Sequence, residues 1–179
     1  MADEDPQPTE PRRVDPWRFA GGFIAKALGS QIPETPSHDP IPWTPVSKPL
    51  SESKVALLST AGLSLRDDPP FDMDFERANP MRGDGSWRAL PADATAEDVV
   101  ANHLHIDTGY VERDLNVALP LDRLREAVEA GEVGAMAETH YSVMGFQGND
   151  PSKLVNESAP EIAARMKREE VDLALLAPV

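Results

Sequence analysis

The chain has 179 residues, and 17 lysines and arginines against 31 aspartates and glutamates give a formal net charge of -14. Such a field repels phosphate backbones and anionic lipid headgroups, so we expect neither nucleic acid nor a membrane as a partner. Cysteine is absent, which excludes disulfides, thiolate metal sites and a cysteine nucleophile within these residues.

The first 50 residues differ from the rest in composition. Ten of the 18 prolines lie among residues 1–49, so we expect residues 1–50 to form a disordered or extended proline-rich arm. Apolar side chains between Trp17 and Leu28 predict one short helix in that arm. The acidic start of the chain lacks the basic and apolar regions of a secretory signal, which indicates a cytoplasmic protein.

A compact domain is predicted for residues 51–179. Its first element is a buried strand, Lys54–Thr60, which a turn at Ala61-Gly62 ends. Prolines and glycines predict a loop over Arg66–Gly85. Trp87–Leu90 is typical of a short strand, and Thr95–Val100 of at most two helical turns.

The C-terminal part alternates helix and strand. Leu119–Val128 has apolar residues at helical spacing, with Pro120 at its start and Gly131 after its end. Ser158–Glu161 has the pattern of a capping box and begins a helix that runs to about Glu170. A buried strand, Val171–Val179, follows. This alternation predicts an α/β fold with a largely parallel sheet and flanking helices.

The domain looks incomplete at its C-terminus. In open parallel sheets, ligands and catalytic groups collect in the loops that leave the carboxyl ends of strands. The sequence stops at Val179, directly after its most apolar strand. We therefore expect it to be the front part of a longer protein.

The densest polar segment is Asn102–Thr108. If this segment is extended, His103, His105 and Asp107 project from one face. Two imidazoles and a carboxylate could bind a metal, or hold a substrate and transfer protons near neutral pH. Alternatively, the histidines lie at the surface and form hydrogen bonds with the backbone.

A second polar segment, Thr139–Gly145, contains His140 and Tyr141 and ends in a glycine. Such a run at a strand end suits a loop that contacts a ligand, and a hydrogen-bonded His–Tyr pair that packs a turn is the alternative. Ser59–Gly62 could present backbone N–H groups to a carboxylate, but it is more typical of a plain turn. The acidic residues between Asp67 and Glu76 lack the spacing of a calcium-binding loop and favour a solvated loop.

Six segments, taken in order, resemble the selenoprotein B family of glycine, sarcosine and betaine reductases and the related D-proline reductase subunit. Together they cover most of residues 40–179. They are Trp43–Leu57, Gly83–Pro91, His103–Asp107, Asp114–Leu124, His140–Gly145 and Val171–Val179.

The resemblance implies a redox motif immediately after Val179, in which selenocysteine or cysteine is followed two residues later by cysteine. A chalcogen between a strand end and a helix N-terminus would have a lowered pKa and be strongly nucleophilic. The codon for selenocysteine is usually a stop codon. A translated gene sequence that treats it as a stop would therefore end one residue before the nucleophile. The 179 residues alone would then be catalytically inactive.

The resemblance also implies the reaction and the partners. In this family a pyruvoyl group on a partner subunit activates the amine, the selenolate attacks the α-carbon, and the C–N bond is cleaved reductively. Thiols, ultimately thioredoxin, restore the selenide. His103, His105, Asp107, His140 and Tyr141 are then expected to line the substrate pocket, without a metal.

Two other functions remain open from the sequence. The chain could be a non-catalytic, cysteine-free module that binds a small amine or a partner subunit. It could also be a metal-dependent enzyme that uses the face of His103, His105 and Asp107. If the chain is truncated, the terminal strand Val171–Val179 lacks the helix that would follow it, and its exposed apolar edge predicts aggregation or a homo-oligomer.

Overall fold

The computed structural model describes residues 44–79, 82–104, 106–148 and 150–179. One compact unit extends over Val46–Val179. The predicted helix at residues 17–28, most of the proline-rich arm and His105 lie outside the described residues.

Seven strands occur in the described part of the chain. In chain order they are β1 (Lys54–Ser59), β2 (Leu63–Leu65), β3 (Trp87–Pro91), β4 (Val99–Ala101), β5 (Ala135–Met136), β6 (Thr139–Val143) and β7 (Leu173–Ala177). Four α-helices accompany them, namely α1 (Met73–Ala78), α2 (Gly109–Arg113), α3 (Leu121–Glu129) and α4 (Ala159–Arg168).

Strand β1 lies at the centre of the main sheet. It pairs in parallel with β5 and then β6 on one side and with β7 on the other, since Val55 is opposite both Met136 and Leu173. Strand β3 pairs with β6 in antiparallel orientation at the far edge. Strands β2 and β4 form a separate antiparallel pair. The predicted largely parallel sheet is confirmed.

Helices cover both faces of this sheet. The connection from β1 to β6 and the connection from β6 to β7 run in opposite directions across β1, and right-handed crossovers therefore require their helices to lie on opposite faces. The packing agrees: Leu57 shares a core with Leu124 of α3, whereas Leu58, its neighbour on β1, packs against the cluster that contains Ile162 of α4.

Two predicted strands and one predicted helix are confirmed with small changes in their bounds. Lys54–Thr60 forms β1 up to Ser59, and Trp87–Leu90 forms β3 with Pro91 added. Helix α3 begins at Leu121 after Pro120 and ends before Gly131, which has a φ of 74°. A positive φ is typical of the glycine that ends a helix.

Two local predictions are wrong. The predicted loop Arg66–Gly85 contains α1, because the Asp72 carboxylate accepts a hydrogen bond from Phe75 N at 2.8 Å and caps six helical residues. The predicted helical turns at Thr95–Val100 are a turn followed by β4. There the Asp98 carboxylate binds the main chain and the hydroxyl of Thr95, and the two valines pair with β2.

The predicted capping box at Ser158 is also absent. A π-helical segment, Leu154–Ser158, leads directly into α4, so Ser158 already has helical dihedral angles. Its hydroxyl donates to Gly85 O at 2.6 Å. The serine therefore ties α4 to the loop before β3 instead of capping the helix.

The terminal strand is present but is not buried. Strand β7 is an edge strand in the described structure, and the side chains of Leu175 and Leu176 are 52% and 63% exposed. An apolar groove of about 420 Å³ runs between β7 and α3, with Leu173 and Leu175 on one side and Leu124 and Ala127 on the other. The composition of the run predicted a strand correctly, but among the described residues only Leu173 of this strand packs against the core, and Leu175 and Leu176 are more than half exposed.

Candidate functional site at the carboxyl edge of the sheet

The carboxyl ends of β1, β6 and β7 meet at Thr60. Its backbone N–H donates to Ala177 O at 3.2 Å, and its carbonyl oxygen accepts from Gly145 N at 2.9 Å. Thr60 therefore joins the end of β7 to the end of β6. In open α/β sheets this edge is where ligands bind.

The hydroxyl of Thr60 makes two further contacts beyond β7. Its oxygen accepts a hydrogen bond from Val179 N at 2.8 Å, and the hydroxyl donates to Val179 O at 3.4 Å. Sequence analysis placed Thr60 at the end of a buried strand and in a turn whose N–H groups could bind a carboxylate, and it gave the hydroxyl no role. The signal that could have revealed it is a hydroxyl residue at the end of a central strand, just before a glycine turn.

The loop that contains His103 and Asp107 begins at the same edge. Asn102 N donates to Gly62 O at 2.8 Å, and the buried Asn102 side chain donates to the same oxygen at 3.1 Å. Gly62 N in turn donates to Val143 O at the end of β6. The turn after β1 thus holds the start of this loop beside the end of β6.

The segment from His103 to Asp107 is not an extended strand in its described part. Strand β4 ends at Ala101, and His103 is half-buried in the loop that follows. Asp107 is exposed, and its carboxylate accepts from Gly109 N at 3.0 Å at the start of α2. His103 and Asp107 therefore do not lie on one face of a strand, and His105 lies outside the described residues. No cluster of three or more metal-ligating side chains occurs among the described residues, which do not include His105.

His140 is fully buried within β6. Its Nδ1 accepts a hydrogen bond from Leu57 N at 2.9 Å. Burial lowers the pKa of His140 from 6.5 to about 4, and the nearby Glu169 only partly opposes that effect. The imidazole is therefore neutral at pH 7, with its proton on Nε2, which has no hydrogen-bond partner among the described residues.

Tyr141 projects from the opposite face of β6, towards α4. Its ring is fully buried and lies 5.8 Å from the ring of Trp87, tilted by 55°. Burial raises the pKa of the phenol, and its oxygen has no partner among the described residues. Thr139–Gly145 was predicted as a loop at a strand end; residues 139–143 are instead an inner strand, and Met144-Gly145 reach the carboxyl edge.

Comparison with known proteins identifies relatives of this chain. It is 37% identical over 153 residues to the D-proline reductase subunit gamma of Acetoanaerobium sticklandii. The matched region covers 86% of this chain and 59% of that protein. It is 29% identical over 143 residues to the glycine reductase complex component B subunit gamma of Symbiobacterium thermophilum, covering 79% of this chain and 32% of that protein.

The family model for glycine/sarcosine/betaine reductase selenoprotein B matches residues 30–178. The chain belongs to this family. The resemblance found in the six sequence segments is thereby confirmed. The chain is also 28% identical over 111 residues to the sarcosine reductase complex component B subunit beta of Peptoclostridium acidaminophilum, covering 62% of this chain and 24% of that protein.

The names of these relatives describe subunits or components of reductases. This chain spans 59% of the length of the first relative and about a third or less of the others. No solved structure matches it. None of the helices in the described ranges is long and apolar enough to cross a membrane.

Proposed function

We propose that this chain provides the N-terminal scaffold of a selenoprotein B-type reductase subunit, which cleaves the C–N bond of glycine, sarcosine, betaine or a proline-like substrate. The family match over residues 30–178 is the observation that carries this proposal. The meeting of three parallel strand ends at Thr60 supports it, because such an edge is where an α/β fold presents reactive groups.

The proposed nucleophile is a selenocysteine or cysteine directly after Val179. We propose that the protein acts in the cytoplasm. A pyruvoyl group on a partner subunit would activate the substrate amine. The chalcogen would then attack the α-carbon. Over the whole reaction a thioredoxin-type dithiol becomes a disulfide and supplies two electrons and two protons, and the carbon gains one hydrogen where the C–N bond breaks. The nitrogen of glycine or sarcosine takes the other hydrogen and leaves as an amine, whereas the quaternary nitrogen of betaine leaves as a tertiary amine and the second proton goes to solvent. In a proline-like substrate the ring opens, and the nitrogen takes the hydrogen and stays in the product.

The residues that sequence analysis singled out have two roles in this proposal. We assign His103, His105 and Asp107 to the pocket side, because the loop that follows β4 begins at Asn102, whose N–H is bonded to Gly62 O at the carboxyl edge. His140 and Tyr141 are fully buried in β6 and would shape the same edge from within the sheet.

Turnover by the complex tests the proposal. The complex is purified from its native organism, supplied with a dithiol, and offered glycine, sarcosine, betaine and D-proline separately. We expect one of the four to produce cleavage product and thiol oxidation in equal amounts, the product being a released amine from glycine, sarcosine or betaine and a ring-opened amino acid from D-proline. Saturable binding of an amine without turnover would instead support the cysteine-free binding module, and neither binding nor turnover would overturn the proposal.

A further inference from the structure

The backbone beyond β7 is held by a side chain instead of by the sheet. Backbone pairing between β1 and β7 ends with Thr60 N bound to Ala177 O. Pro178 has no N–H, so Val179 offers the next donor. That donor binds the Thr60 hydroxyl at 2.8 Å.

The position of this hydroxyl is well defined. Threonine is branched at Cβ and has few side-chain rotamers. Gly145 lies directly against it: a Cβ on Gly145 would lie 3.2 Å from the Cβ, the Oγ1 and the carbonyl oxygen of Thr60. The absence of a side chain at residue 145 thus allows β6 to approach Thr60 this closely. The position of Thr60 is therefore constrained by β6 on one side and by β7 on the other.

The strand that Thr60 holds is also fixed at its other end. The carboxylate of Asp172 accepts from Lys54 N at 2.8 Å, and Asp172 N donates to Lys54 O at 2.9 Å. Between these ends β7 is paired with β1 alone among the described strands. The direction in which the chain leaves the sheet after Pro178 therefore depends on the two contacts of one hydroxyl group.

We propose that Thr60 is a positioning residue: its hydroxyl fixes the main chain of Val179 and so orients the residue that follows. This inference rests on the proposed function, in which that next residue carries the reactive selenium or sulfur. Both contacts of the hydroxyl go to main-chain atoms of Val179, so they depend on backbone geometry and not on the valine side chain.

Three variants test this role in the protein produced from its native reading frame. Thr60→Val keeps the branched shape and removes the hydroxyl, whereas Thr60→Ser keeps the hydroxyl. Thr108→Val is the matched control, because the Thr108 side chain makes no capping hydrogen bond at the start of α2. The readouts are amide hydrogen exchange at Val179 and the pH profile of alkylation of the next residue by iodoacetamide.

We expect Thr60→Val to speed exchange at Val179 at least tenfold and to shift the pH midpoint of alkylation. Thr60→Ser should restore both, and Thr108→Val should change neither. Unchanged exchange in Thr60→Val, or faster exchange with an unchanged alkylation profile, would overturn the positioning role while leaving the reductase proposal intact. Mass spectrometry that finds no selenocysteine or cysteine after Val179 would overturn the reductase proposal itself.

Discussion

The backbone N–H of Leu57 donates a hydrogen bond to Nδ1 of His140, at 2.9 Å, across an interruption in the sheet. Val55 pairs with Met136 and Leu58 with Tyr141, so residues 56–57 of β1 lie opposite residues 137–140. The extra residues between β5 and β6 interrupt the regular backbone pairing of both strands with β1. An imidazole therefore takes the place of a carbonyl oxygen as the acceptor for a central strand.

Removing this imidazole should destabilise the fold. We expect His140→Ala to lower the free energy of unfolding by about 3 kcal/mol, because a buried N–H loses its acceptor and a cavity remains. His140→Asn can place its Oδ1 near the position of Nδ1 and should lose less than half as much. Urea unfolding followed by tryptophan fluorescence measures both, and equal losses would show that the hydrogen bond contributes little.

The same imidazole should make stability depend on pH. The pKa of His140 is lowered from 6.5 to about 4 in the folded protein, so below pH 6.5 the unfolded chain binds the proton more readily. The stabilising effect is complete above pH 6.5 and falls as the pH drops towards 4, by about 3 kcal/mol in all.

Comparing variants separates His140 from the other titrating groups. Below pH 6.5 the stability advantage of the parent protein over His140→Asn should fall steadily and reverse before pH 4, because protonation costs the parent about 3 kcal/mol, which exceeds the cost of the substitution at neutral pH. His103→Asn is the matched control, because it removes a half-buried imidazole outside the sheet. In this variant the free energy of unfolding should still fall with decreasing pH as His140 requires. A constant difference between parent and His140→Asn across this range would mean that His140 titrates normally.

The exposed edge at β7 should make the 179-residue chain self-associate. Leu176 is 63% exposed on a strand that has one paired neighbour among the described strands, and unpaired apolar edges favour intermolecular pairing. Leu176→Glu should reduce self-association at high concentration, as measured by analytical ultracentrifugation. Val117→Glu adds the same charge at a residue that is 56% exposed outside β7 and should have a much smaller effect. A parent chain that is monomeric at high concentration would contradict this prediction.

The turn after β1 should tolerate no side chain at Gly62. Its φ is 62°, and a Cβ there would overlap the sulfur of Met144 and the carbonyl oxygen of Asn102. We expect Gly62→Ala to lower the free energy of unfolding by about 3 kcal/mol or more, because the backbone strain and the steric overlap add. The melting temperature should fall accordingly.

Gly131 provides the control for that substitution. Its φ is 74°, but a Cβ there would meet nothing within 4 Å. Gly131→Ala should therefore cost only about 1 kcal/mol, which is the backbone strain alone. Similar melting temperatures for the two variants would show that the crowding around Gly62 has no energetic weight.

The sequence predicted those elements whose pattern is local. β1, β3 and α3 were recognisable from an apolar run, from β-forming residues and from apolar spacing with Pro120 and Gly131 at the ends. Helix α1 was missed because six residues give too little periodicity, although Asp72 was a capping signal. The exposure of β7 depends on which strand lies beside it, and that information is not in the run Leu173–Ala177 itself.

The candidate site was predicted less well, for the same reason. His140 and Tyr141 were identified as notable, but their burial follows from the position of β6 between β1 and β3. Thr60 was overlooked because its partner, Val179, is 119 residues away. Contacts of this kind arise from topology, which a single sequence without a fold does not specify.

The most direct test of the central claim is the mass of the protein purified from its native organism, together with sequencing of its C-terminal peptides. Our account predicts a mass well above the 19.5 kDa of these residues and a peptide in which selenocysteine or cysteine follows Val179. A native protein of 19.5 kDa whose last peptide ends at Val179 would contradict it.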